Sequence, residues 1–99
     1  MITKENVENE IKNSEKPVLI EFYADWCSSC KILSPIVDQV AEEITEQKIV
    51  KVDIEQYPEL ALEFGIKSIP TFILYKDGKT VSKSYGAKSK MAIIKMLQG

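Results

Sequence analysis

The sequence contains no histidine and no arginine; all 13 of its basic residues are lysine. Without imidazole there is no Ser-His or Cys-His nucleophile and no histidine metal ligand. Without guanidinium there is no planar fork for bidentate recognition of phosphate or carboxylate. Cysteine is scarce: only Cys27 and Cys30 are present. Two cysteines are too few for a disulfide scaffold, and a bridge closing so short a loop would stabilise little. No apolar run approaches the ~20 residues needed to span a bilayer, so no membrane partner is expected. The lysines face 15 acids, giving a net charge of -2. Counterion-driven binding to nucleic acid therefore has no support.

What is present is ordinary for a globular chain. Of 99 residues, 44% are hydrophobic and 28% charged. That composition excludes a disordered tail, a collagen-like rod and a coiled coil, and leaves room for one domain over residues 1–99. A monomer is expected. The first ten residues are interrupted by charge at once, with no apolar signal region behind them. This predicts a cytosolic chain, where a cysteine pair is catalytic or metal-binding more often than a permanent staple.

Hydrophobic periodicity gives the order of elements. Ile2 and Thr3 suggest a stub of strand, and Val7 with Ile11 an amphipathic helix over about residues 5–13. Val18 to Tyr23 is a near-continuous apolar run, the pattern of a strand buried on both faces. Ile32, Leu33, Ile36, Val37, Val40, Ala41 and Ile44 draw a helical stripe over about residues 28–46, with Pro35 inside it and a kink expected there. Ile49, Val50, Val52 and Ile54 make a second strand, parallel to the first because a long helix connects them. Pro58 to Phe64 reads as a short helix stopped by Gly65. Thr71 to Tyr75 and Thr80 to Tyr85 read as a hairpin around Lys76-Asp77-Gly78-Lys79. Met91, Ile94 and Leu97 mark a terminal helix. The fold class is α/β, a central sheet of mixed direction with helices on both faces.

Chemistry concentrates at Cys27-Ser28-Ser29-Cys30, where a buried strand hands over to a helix. Cys27 falls at the helix N-terminus, where unpaired N–H groups and the macrodipole favour a thiolate. Cys30, one turn inward, is expected to be more buried and protonated. Cys27 would then attack a disulfide, and Cys30 would resolve the mixed disulfide. Zinc within one chain would have only carboxylates to complete its ligand set. A zinc or small iron–sulfur cluster bridging two chains stays open as an alternative. So does a binding or regulatory module in which the thiols act as a redox latch. Two inert buried thiols are a further reading, against which the polar Ser28-Ser29 pair argues for exposure.

Glu21 interrupts the most hydrophobic strand. Burial would raise its pKa and make it a proton acceptor for Cys30. The alternative is a structural ion pair with Lys51 on the neighbouring strand, and both could hold together. Ser68-Ile69-Pro70-Thr71 opens a strand, where the proline ring removes one backbone donor.

Glu21 through Lys31, with its Trp26-Cys27-Ser28-Ser29-Cys30 core, is followed by Pro35, Lys51-Val52-Asp53, Gly65 through Thr71, Lys76-Asp77-Gly78 and Gly86. Together these segments resemble the thioredoxin family from about Pro17 onward. The resemblance implies the thioredoxin fold and a protein-disulfide reductase with a redox-active Cys27–Cys30 disulfide and no bound cofactor. It implies Cys27 as nucleophile, Cys30 as resolving thiol, and Glu21 with Lys51 at the positions of the family's buried acid and its lysine partner. Trp26 would cover the active-site surface, with Ser28 and Ser29 beside the sulfurs. Pro70 would be a cis-proline facing them, Ile69 would offer backbone hydrogen bonds to an extended substrate, and Gly86 would belong to the apolar rim. The implied electron donor is a thioredoxin reductase, which itself holds flavin and NADPH. The chain departs from the family's usual pattern at Ser28-Ser29, in place of Gly-Pro, and at Glu21, in place of Asp. Two hydroxyls near a thiolate would favour the reduced state, so a less reducing protein is expected.

Overall fold

The computed structural model describes residues 2–86 and 88–98. Its sheet has four strands: β1 (Val18–Tyr23), β2 (Lys48–Asp53), β3 (Thr71–Lys76) and β4 (Lys79–Tyr85). Three helices accompany it: α1 (Ser28–Glu43), α2 (Pro58–Glu63) and α3 (Lys90–Gln98). The spatial order is β2-β1-β3-β4. β1 runs parallel to β2 and antiparallel to β3, and β4 returns antiparallel along β3. The mixed sheet follows from the connections. α1 is long enough to carry the chain back for a parallel strand, whereas two residues join β3 to β4.

β1 is central, and its period-2 alternation feeds two cores. Val18, Ile20 and Phe22 pack on one face with Val7, Ile11, Val52, Leu60 and Ile73. Leu19 packs on the other with Leu33, Val37 and Val40 of α1, Phe72 and Leu74 of β3, and Ile93 and Leu97 of α3. Glu21 has the parity of Leu19, so it points toward the α1 side and is itself buried.

Two turns are fixed by backbone chemistry. Asp77 and Gly78 both have positive φ (54° and 80°), the combination a two-residue hairpin needs to match strand twist. α2 ends in a Schellman motif. The Ile66 N–H donates to Ala61 O at 2.8 Å and the Gly65 N–H to Leu62 O at 3.2 Å, with Gly65 at φ +68°. α1 accommodates Pro35 as one continuous element.

Several boundaries differ from those the sequence predicts. Ile2 and Thr3 form no strand; Ile2 N–H donates once, to Lys51 O at 2.9 Å. The helix expected over 5–13 is a five-residue π-helical turn, Glu8–Lys12. The Asn13 N–H closes the wide ring on Glu8 O at 2.8 Å, and the turn still buries Val7 and Ile11. α1 ends at Glu43, short of 46, because Ile44 turns to an extended conformation (φ -115°, ψ 111°). β3 and β4 each reach one residue further into the hairpin, and their register slips between Leu74 and Tyr75. No helix among the described residues is long and apolar enough to cross a membrane.

Candidate functional site

The strand-to-helix junction after β1 shapes the site. Cys27 is the N-cap of α1, with extended backbone (φ -84°, ψ 109°), and its sulfur accepts the Cys30 N–H at 3.3 Å. A thiol thus fills the role usually taken by a Ser or Asp oxygen, satisfying one orphan donor of the first turn. The Ser29 hydroxyl lies 3.4 Å from the same sulfur. The first turn of α1 carries no acid to compete for its positive end.

Both cysteines are free thiols. Cys30 is 3% exposed, as its inward position predicts, but Cys27 is also buried, at 7%. Cys27 is therefore not open, in contrast to the exposure that the polar Ser28-Ser29 pair suggests. Its sulfur folds onto the first turn of α1, and Cys27 belongs with Ala24 and Cys30 to a buried cluster against which Ile54 and Ile69 pack. It still lines a groove of about 330 Å³ with Trp26, Ile54, Ile66, Lys67, Ser68 and Ile69.

The two thiols are driven apart electrostatically. Burial opposes ionisation of Cys27, but hydrogen bonds from the side chains and backbone of Cys30 and Ser29 outweigh it and hold the thiol below its ordinary value. Cys30 is pushed up to about 12 by burial, by its hydrogen bond to Cys27, and by the charges of Cys27 and Glu21. One sulfur is therefore poised to carry charge and the other to hold a proton.

Glu21 lies behind the pair at 1% exposure, in a cavity of about 260 Å³ that it lines with Tyr23, Cys30, Ser34 and Lys51. Burial raises its pKa from 4.5 to about 7, with Asp38 adding to the rise and Lys51 opposing it. The ion pair between Glu21 and Lys51, the alternative reading, is not formed. Lys51 Nζ sits 2.8 Å from Asp38 Oδ1 and donates to Ser34 Oγ at 2.9 Å. α1 explains the diversion. Cys30, Ser34 and Asp38 are spaced four residues apart, so they form one polar stripe facing β1 and β2.

Of the remaining expected site residues, Trp26 and Ile69 line the groove. Trp26 is 66% exposed beside Cys27, and Ser28 is exposed. The Ile69–Pro70 peptide is cis, Ile69 is half-buried against the cysteines, and Pro70 is buried. Gly86, at φ +85°, donates its N–H to Pro70 O at 2.8 Å, which brings the end of β4 to the cis peptide. Sequence reasoning missed Ser34 and Asp38, although their i+4 and i+8 spacing from Cys30 was the signal. It also missed Ile54, Ile66 and Lys67 in the groove, although Ile66 and Lys67 lie within the segment from Gly65 through Thr71 that carries the family resemblance. Among the described residues, no group of three or more Cys, Asp or Glu is arranged to hold a metal ion.

Comparison with known proteins gives one family. The family model described as Thioredoxin matches residues 1–99. A curated relative named Thioredoxin, from Chlamydia trachomatis, is 41% identical over 97 residues, covering 98% of this chain and 93% of its own length. Another of that name, from Mycobacterium tuberculosis, is 39% identical over 97 residues, covering 97% of this chain and 84% of its own. The solved structure of a mutant thioredoxin from Halobacterium salinarum superposes with a TM-score of 0.87 at 29% identity, over 97% of this chain and 83% of that one.

Proposed function

The chain belongs to the thioredoxin family of protein-disulfide oxidoreductases, and from that premise we propose that it is a cytosolic reductase of protein disulfides, cycling Cys27 and Cys30 between dithiol and disulfide. The observation that carries this reading is the Cys27 sulfur at the N-terminus of α1, with the Cys30 N–H and the Ser29 hydroxyl turned toward it.

The Cys27 thiolate attacks one sulfur of a substrate disulfide. The S–S bond breaks, its electron pair leaves on the second substrate sulfur, and that sulfur takes a proton from water. Cys27 is now joined to the substrate in a mixed disulfide. Glu21 takes the Cys30 proton through the shared cavity, and the Cys30 thiolate attacks Cys27. A Cys27–Cys30 disulfide forms, and the remaining substrate sulfur departs as thiolate and is protonated. Two electrons and two protons have passed to the substrate. An acceptor with a pKa near neutrality suits this step, because it is substantially ionised at working pH and still basic enough to draw a proton.

The substrate segment lies along the groove beside Trp26, with the Ile69 backbone pairing to it as an added strand and Gly86 at the rim. Ser28 and Ser29 flank the sulfurs, and Lys51 sets the field at Glu21. The chain acts as a monomeric single domain over residues 1–99. A thioredoxin reductase, holding its own flavin and NADPH, returns electrons to the disulfide.

Insulin reduction with dithiothreitol as donor tests the reading. Cys27→Ser is expected to abolish catalysis, and Cys30→Ser to accumulate a substrate-linked species that dithiothreitol releases. A Cys27→Ser protein as active as the parent would overturn the proposal.

A further inference from the structure

We propose that Ser34 and Asp38 are positioning residues: they hold the Lys51 ammonium against α1 and so keep Glu21 without a paired cation in the cavity it shares with Cys30. The inference rests on the reading of Glu21 as acceptor for the Cys30 proton and names what sets that acceptor.

The geometry begins with strand register. Glu21 and Lys51 are directly paired across β1 and β2. Paired residues of adjacent strands stand about 5 Å apart with their side chains on the same face. A lysine so placed would close on a buried carboxylate unless something else held it. Here Ser34 Oγ at 2.9 Å and Asp38 Oδ1 at 2.8 Å do so, both from the α1 stripe that begins at Cys30. Lys51 is only 24% exposed, while Asp38 is 64% exposed, so the ammonium is drawn outward from the cavity toward the surface.

The charged and titratable groups facing Glu21 are few. α1 presents Cys30 and Asp38, β2 presents Lys51, and β1 itself presents Tyr23. On the other side, β3 pairs Phe72 with Glu21, which carries no charge. Asp38 acts on this set twice. It withdraws the Lys51 cation and adds a negative charge of its own, and both favour the protonated carboxyl. A directly paired Glu21 would be a weaker base toward a thiol held up to about 12.

The test uses the full chain in its reduced form. The Glu21 carboxyl is titrated by carbon-detected NMR, and the pH profile of mixed-disulfide resolution is followed in single turnover. Asp38→Asn and Asp38→Ala, both at a surface position, are expected to lower the Glu21 midpoint by about one pH unit, as Lys51 turns to the carboxylate. The acidic limb of the resolution profile should move with it. Ser34→Ala should move both the same way by less, and Lys51→Met should move both upward. A Glu21 midpoint unchanged in both Asp38 variants would overturn the proposal. The carboxyl titration needs no turnover. A wild-type protein inactive on insulin would therefore defeat the reductase reading while leaving the positioning of Lys51 to be judged by NMR alone.

Discussion

Replacing Glu21 by Gln should change how stability depends on pH more than it changes stability itself. Glu21 is 1% exposed, and burial moves its pKa from 4.5 to about 7. A carboxyl whose folded pKa is raised binds its proton more tightly in the folded chain than in the unfolded one. The folded state is therefore favoured in full below about pH 4.5 and loses that advantage as pH rises toward the folded value. At about 1.36 kcal/mol for each pH unit, the loss amounts to about 3 kcal/mol, complete just above pH 7. That is a large share of the 5–15 kcal/mol typical of a domain, about the size of one badly chosen core mutation. Urea unfolding of the reduced protein, at half-unit steps from about pH 4 to 8, measures it. Wild type should lose stability relative to Glu21→Gln with a slope near one proton through about pH 5 to 6.5, then run parallel to it. The amide has no charge to lose, so titrations elsewhere cancel in the difference. Parallel curves across the whole range, or a total divergence under about 1 kcal/mol, would refute the buried-carboxyl argument.

Phe22 is fully buried and packs its ring 5.5 Å from that of Phe64, so Phe22→Ala should destabilise by about 3–5 kcal/mol. A lower guanidinium midpoint with unchanged slope checks it, and a loss under about 1 kcal/mol contradicts the core described for β1. The Ser29 hydroxyl lies 3.4 Å from the Cys27 sulfur and favours the thiolate, which stabilises the reduced state. Replacing Ser28-Ser29 by Gly-Pro should therefore make the Cys27–Cys30 couple more reducing, as read from equilibrium with glutathione. An equal or less negative potential in the variant removes the serines from the account.

Much of this architecture is legible in local chemistry. The apolar run of β1, the stripe of α1, the Asp77-Gly78 hairpin and the Gly65 stop each rest on one residue pattern with few alternatives, and each appears within a few residues of its expected place. The N-terminal segment was harder. Val7 and Ile11, four apart, fit an α-helix and a wider turn equally, and the choice was made by the Asn13 N–H reaching Glu8 O. Thr45 and Glu46 add no apolar residue to extend α1, so Ile44 could leave it. At the site, the sequence pointed to Cys27 and Cys30 by their spacing at a strand-to-helix junction, and to Glu21 because a carboxylate interrupts an apolar strand. One of its readings paired Lys51 with Glu21, since strand register favours a partner on β1; only the packed helix reveals Ser34 and Asp38 as its partners. Cys27 proved more enclosed than polar neighbours suggest, because its sulfur caps its own helix.

The central claim is that Cys27 carries an activated thiolate while Cys30 does not, and alkylation of the reduced protein tests it most directly. Iodoacetamide reaction rates are followed across pH, with the modified residue identified by peptide mapping. The account predicts that Cys27 alone reacts near neutrality, with a midpoint below that of an ordinary thiol, and that Cys30 stays silent through the range. A Cys27 midpoint at or above about 8.5, or equal reaction at both sulfurs, would contradict it.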